Sequence, residues 1–147
     1  EPNLGTQLIN RLREHRGIDM MPIDIHALRQ AMQTLRSGGL IMTGVDRPTS
    51  AEDSLLTFFG KPARLPTGHV RLALQTGAHL LVACCLQKSD GAYALQIVGP
   101  LEMERTGDKA EDVRRNAERV LAIIESMIRQ APEQWLMFLP VWESESA

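Results

Sequence analysis

Apolar residues return at helical spacing in three stretches of this chain and form short solid blocks in two others. From Leu4 to Arg16, the recurrence of Leu4, Leu8, Ile9 and Leu12 predicts an amphipathic helix that packs one face and closes at Gly17. Met20 to Asp24 reads as a short extended piece, because Pro22 confines its predecessor to the β region. Asp24 is then placed to cap a second helix with Ile25, Leu28, Ala31, Met32 and Leu35 on one side, ended by Gly38 and Gly39.

Leu40 to Val45 is a mostly apolar run of strand length, the kind buried on both faces of a parallel sheet. After a polar loop from Asp46 to Asp53, the stretch TFFGKPARLPTG (Thr57 to Gly68) reads as a loop wedged onto the sheet edge by Phe58 and Phe59. Thr67 is placed to cap a helix bearing Val70, Leu72, Ala73 and Leu74 that stops at Gly77. His79 to Leu86 is a second buried strand, and Asp90-Gly91 predicts a hairpin into an antiparallel strand from Tyr93 to Val98. From Asp108 to Gln130, Val113, Ala117, Val120, Leu121, Ile124 and Ile128 form one stripe of a long docking helix, broken by Pro132. These elements predict a single α/β unit over residues 1–147: a small, mixed and mainly parallel sheet flanked by helices, with a β-hairpin and a long C-terminal helix.

Composition narrows the function more than the fold. The 147 residues carry 16 basic and 18 acidic side chains, and no basic run is interleaved with aromatics, which argues against nucleic acid as a partner. No apolar run reaches the roughly 20 residues needed to span a bilayer. Cys84 and Cys85 are adjacent, so in a strand they point to opposite faces and read as reduced core or near-core thiols. No zinc-ligand spacing, phosphate-binding glycine loop or nucleophile elbow occurs, so neither a metal nor a cofactor is expected.

Two distributions stand out. No Asp or Glu occurs from Ser54 to Ser89, where an even spread would place about four. Lys61, Arg64, His69, Arg71 and Lys88 lie in that window, a cationic rim suited to an anionic amphiphile, although buried strands also lack acids. Five of the six aromatic residues fall in two stretches, Phe58-Phe59 and Trp135, Phe138, Trp142, which suit mutual core packing or an acyl- or bilayer-facing surface.

Leu35 to Pro48 (LRSGGLIMTGVDRP), Phe58 to Glu102 with its FFGKPA opening and its TGHVRLALQTGA helix, and Ile128 to Phe138 (IRQAPEQWLMF) together resemble the carboxy-terminal half of bacterial lipid A biosynthesis acyltransferases, the lauroyl and myristoyl transferase group. The resemblance covers nearly the whole chain, in order. It implies an acyltransferase, at the cytoplasmic face of the bacterial inner membrane and in peripheral contact with it. Such an enzyme moves a fatty acyl chain from acyl carrier protein or coenzyme A to a glycolipid hydroxyl. On the matching segments it points to Asp46, Arg47, Phe58, Phe59, Gly60, Lys61, Arg64, Thr67, Gly68 and Arg71 as substrate-binding residues.

The reaction needs a base to take the hydroxyl proton, which the family places in a His-x4-Asp/Glu motif of its amino-terminal half. That motif is absent here: His15, His26, His69 and His79 are followed five residues on by Met20, Ala31, Leu74 and Cys84. Two further departures are Arg47 after Asp46, where the family has a pair such as Asp-Gln, and Leu139, Pro140 and Val141 where the family's terminal signature has His and two Arg. No catalytic residue is therefore expected in this chain, which reads as part of such a transferase. The alternatives are a non-catalytic lipid-binding or interaction domain derived from that family, or a half-domain that dimerises through an exposed sheet edge.

Overall fold

The computed structural model describes residues 4–20, 25–50 and 53–142, in two compact units, 1–39 and 40–147. The first unit holds helix α1 (Leu4–Glu14) and helix α2 (Ile25–Arg36), both at the places the 3.6-residue spacing predicts. At Gly38 (φ 82°) the α2 chain reverses, with Gly38 N–H bonded to Leu35 O and Gly39 N–H to Thr34 O; a side chain would resist that left-handed step. The apolar stripe of α1, expected to be packed, stands exposed at Leu4, Leu8, Ile9 and Leu12. The Asp24 cap and all but Met20 of the extended Met20–Asp24 piece lie outside the described residues.

The second unit is built on two hairpins and a long helix. Strand β1 (Ser54–Phe58) pairs antiparallel with β2 (Lys61–Leu65); β3 (Leu80–Gln87) pairs antiparallel with β4 (Tyr93–Leu101). Helix α3 (Gly68–Thr76) lies between the hairpins in sequence, and α4 (Lys109–Ile128) follows the second. The class is α/β as expected, but the mainly parallel sheet is corrected: among the described residues two separate antiparallel two-stranded sheets form. Leu40 to Val45 is not a paired strand, because no described backbone edge takes up its hydrogen bonds.

Alternation explains the core. On the first hairpin Leu56 and Phe58 of β1 share a buried face with Ala63 and Leu65 of β2, while Leu55, Thr57, Pro62 and Arg64 face outward. Helix α4 packs its predicted stripe here, burying Val113, Ala117, Val120, Leu121 and also Met127. Asp108 caps α4 by accepting from the backbone N–H groups of Ala110 and Glu111. The β3 strand, expected to be buried on both faces, buries only one: Val82 is in the core while Leu81, Ala83 and Cys85 are exposed, as a two-stranded sheet covered on one side requires.

Two buried polar side chains lock the entry to α4. Asn116 donates to Glu104 O and Asp112 O and accepts from Glu104 N–H, so one amide holds both backbone groups of a loop residue. Asp112 accepts from the backbone and hydroxyl of Thr106, which hold its carboxyl below the usual range.

Candidate functional site

The stretch read as a wedged loop is a hairpin whose two-residue turn is Phe59-Gly60, with φ of 52° and 74°. Two consecutive positive φ values are what a tight hairpin turn needs to match strand twist, a need usually met by Asn-Gly. A phenylalanine there is strained, so its surroundings must hold it. They do so at three points. Phe59 N–H donates to Glu125 Oε1 at 2.6 Å, the Arg129 guanidinium sits 4.7 Å above its ring, and the Phe58 ring meets it edge-on at 4.7 Å.

Around this turn four rings converge from distant parts of the chain. Phe58 is fully buried and stacks on Trp142 at 6.0 Å, while Trp135 meets Phe58, Phe59 and Trp142 at 6.0, 6.1 and 6.2 Å. The Trp142 indole N–H donates to Phe58 O, and Trp142 also bridges to Ala63 at the rim of β2. The Trp135 indole N–H donates to Asp46 Oδ2 at 2.8 Å, tying residues 89 apart in sequence. The preceding residue, Gln134, lies in the single 3₁₀ turn Pro132–Gln134 and uses both ends of its amide on Gln87, accepting from its N–H at 2.8 Å and donating to its carbonyl at 3.0 Å. The PEQW segment is thus a strap: Gln134 imitates a neighbouring strand at the end of β3, and Trp135 reaches across to Asp46.

Beneath the strap lies a cleft of about 200 Å³, lined by Thr43–Asp46, Ala83–Leu86, Ile124, Met127, Ile128 and the strap. Its walls mix apolar side chains with the edge of β3. Cys84 is half-buried there, and burial first, then the neighbouring Cys85, raises its thiol, which makes it a poor nucleophile at neutral pH. Cys85, expected at or near the core, is exposed.

The ten residues singled out as substrate-binding fall into three places. Asp46 lines the cleft, engaged by Trp135, while Arg47, the next residue, is exposed and does not line it. Phe58, Phe59, Gly60 and Lys61 form the hairpin turn; Phe58 belongs wholly to the core there. Arg64 lies near the other end of β2, about 10 Å along the strand from Lys61 at about 3.3 Å per residue, and Thr67, Gly68 and Arg71 follow at the start of α3. There Thr67 is buried, and its hydroxyl accepts from Arg71 Nε at 3.1 Å and lies 3.4 Å from the Ser54 hydroxyl. This corrects the cap reading: Thr67 precedes α3 but its side chain caps nothing. Arg64 donates to Asp53 O at 3.5 Å.

The acid-free window from Ser54 to Ser89 is not acid-free in space. Glu118 of α4 accepts from the N–H of Thr57 on β1, and Glu125 from the N–H of Phe59 in the turn. Glu111, Glu118 and Glu125 recur every seven residues, which puts them on one face of α4; that spacing was a readable signal for this contact.

Among the described residues no histidine lies against a carboxylate. His69, in the first turn of α3, has an Nε2 that is buried with no hydrogen-bond partner, and burial lowers its pKa from 6.5 to about 4, so it is neutral. No described helix is long and apolar enough to cross a membrane, and no described group of three His, Cys, Asp or Glu could hold a metal ion.

Known proteins place this arrangement in a family. The profile described as bacterial lipid A biosynthesis acyltransferase matches residues 1–144. A phosphatidylinositol mannoside acyltransferase of Mycobacterium tuberculosis is 27% identical over 133 residues, covering 88% of this chain and 40% of that protein. Its namesake in Mycolicibacterium smegmatis is 26% identical over 133 residues, covering 88% and 42%. The chain therefore spans about two fifths of the length of these relatives. With the profile matched almost end to end, the chain belongs to the bacterial lipid A biosynthesis acyltransferase family.

Proposed function

We propose that these residues serve an acyltransferase that moves a fatty acyl chain from acyl carrier protein or coenzyme A to the hydroxyl of a membrane glycolipid. The observation that carries this reading is the family match over residues 1–144, and relatives named for acylating a phosphatidylinositol mannoside support the acceptor class. In the reaction the hydroxyl oxygen bonds to the thioester carbonyl carbon, the C–S bond breaks, a base takes the hydroxyl proton, and the departing thiolate is protonated. No described histidine has the carboxylate partner such a base requires, so the chain supplies the frame and another segment supplies the base. Asp46 at the cleft with Arg47 beside it in sequence, the Phe58-Phe59-Gly60-Lys61 turn, and Arg64, Thr67, Gly68 and Arg71 are its substrate-binding residues. The setting is peripheral contact with the inner membrane at its cytoplasmic face.

The test is acyl transfer from labelled acyl carrier protein and coenzyme A thioesters to phosphatidylinositol mannoside. The 147 residues alone should give no turnover, and the reading frame extended upstream should give turnover with one donor. A frame with no His-x4-acid motif within roughly a strand and a helix upstream of Glu1 would remove the reading. The missing His-x4-acid motif and Leu139, Pro140 and Val141 in place of the family's His and two Arg favour one rival, a lipid-binding domain without catalysis; that rival holds if lipid binds and the extended frame still transfers nothing.

A further inference from the structure

Trp135 and Trp142, both seated in the aromatic cluster, hold the two ends of residues 136–141 with their rings 6.2 Å apart. Between them Val141 is buried and Met137 half-buried, but Leu136, Phe138 and Leu139 turn outward with 74%, 87% and 44% of their surface exposed. The Phe138 ring, expected to pack with the other aromatics, is the one of this group that does not join them. A loop this short, pinned at both ends by half-buried, packed rings, has little freedom to fold its own tip away, so the apolar tip is a fixed projection rather than a loose end.

The chemistry is graded along the projection. At the tip stand Leu136, Phe138 and Leu139; at its ends, two half-buried indoles. Near its ends stand charges of both signs: Arg47 next to Asp46, Lys61 after the hairpin turn, Arg129 paired with Glu125, and Glu133 within the strap. That order, apolar then indole then charges of both signs, matches the layers of a zwitterionic bilayer surface: hydrocarbon, interface, headgroups. A protein groove would require none of this ordering, and a purely electrostatic attachment would require an excess of one sign.

We infer that the 136–140 loop is a wedge that inserts its three apolar side chains into a lipid bilayer, holding the cleft under the strap at the membrane surface. The inference rests on the proposed function for its lipid partner, but its test does not. The 147-residue chain, carrying Leu8→Ser and Leu12→Ser so that the exposed α1 stripe cannot contribute, is titrated with phosphatidylcholine vesicles. Trp135 and Trp142 report by blue-shifted fluorescence and by quenching with brominated lipid.

Leu136→Ser with Phe138→Ser should weaken partitioning at least about tenfold while leaving the circular dichroism unchanged. Binding should change little between about 50 and about 500 mM salt, since burial of the apolar tip rather than charge drives it. Equal binding by the loop variant, a strict need for anionic lipid, or no binding by the parent chain would each overturn the inference. Loop substitutions that abolish self-association rather than vesicle binding would also overturn it. Acyl transfer by the reading frame extended upstream to a detergent-dispersed acceptor needs no bilayer, so its failure counts against the proposed function and leaves the vesicle result as the test of this inference.

Discussion

Lowering the pH from 7 to 4 should destabilise the second unit through His69. Its imidazole lies in the first turn of α3 with a buried Nε2 lacking a partner, and burial lowers its pKa from 6.5 to about 4. In the unfolded chain the same side chain takes up a proton near pH 6.5, so between those two values the unfolded state binds more protons than the folded one. Stability therefore falls as pH drops through that window and levels off below about 4, where both states carry the proton. The drop from 6.5 to about 4 corresponds to at most about 3.4 kcal/mol. The residue keeps some exposure, so about 2 kcal/mol is the working expectation. The assay is the urea midpoint, followed by tryptophan fluorescence, at half-unit steps of pH for the parent chain and His69→Phe. Subtracting the two curves removes every other titrating group, and the difference should slope from pH 6.5 to 4 and be flat above 7. Parallel curves would refute the reasoning and mean that the imidazole finds water or a partner when protonated.

The strap and its partners supply the remaining predictions. Asp46→Ala should cost about 1–3 kcal/mol by leaving the Trp135 indole without an acceptor, read as a lower urea midpoint and a red-shifted emission. Gln134→Glu keeps an acceptor for Gln87 N–H but sets a carboxylate against the Gln87 carbonyl, so the Gln87 amide should exchange at least about tenfold faster. Phe59→Asn would suit the turn by about 1 kcal/mol, yet the loss of a ring packed on Phe58 and under Arg129 outweighs it, and net destabilisation of about 1–2 kcal/mol should appear in thermal melts. Glu111, held down to about 2 by hydrogen bonds from Arg114 and Arg115, contributes stability present above its unfolded value of 4.5 and lost as pH falls toward 2; Glu111→Gln should flatten that acid limb.

Local signals were readable wherever a segment's structure depends on its own residues. The stripe of α4, its Asp108 cap, the Gly77 end of α3 and the Asp90-Gly91 hairpin all follow from spacing and turn chemistry. The first hairpin was missed for a physical reason: its turn uses Phe59 in a left-handed conformation that phenylalanine disfavours, and only Glu125, Arg129 and the neighbouring rings, all distant in sequence or brought close by folding, make it stable. The same holds for Leu40 to Val45, whose strand-like composition cannot make a strand without a neighbouring edge.

The site divides along the same line. By itself the sequence determined the residue types on offer: five aromatics in two stretches, a cation-bearing window, a family pattern, and no His-x4-acid pair. Tertiary structure alone decided that four of those rings form one cluster while Phe138 projects, that Glu118 and Glu125 enter the window that lacks acids, and that Gln134 and Trp135 strap the chain to Gln87 and Asp46. Periodicity and capping act over a few residues and leave a trace in local order, whereas ring packing and hydrogen bonds between residues 47 to 89 positions apart depend on where the whole chain brings them, and no short stretch records that.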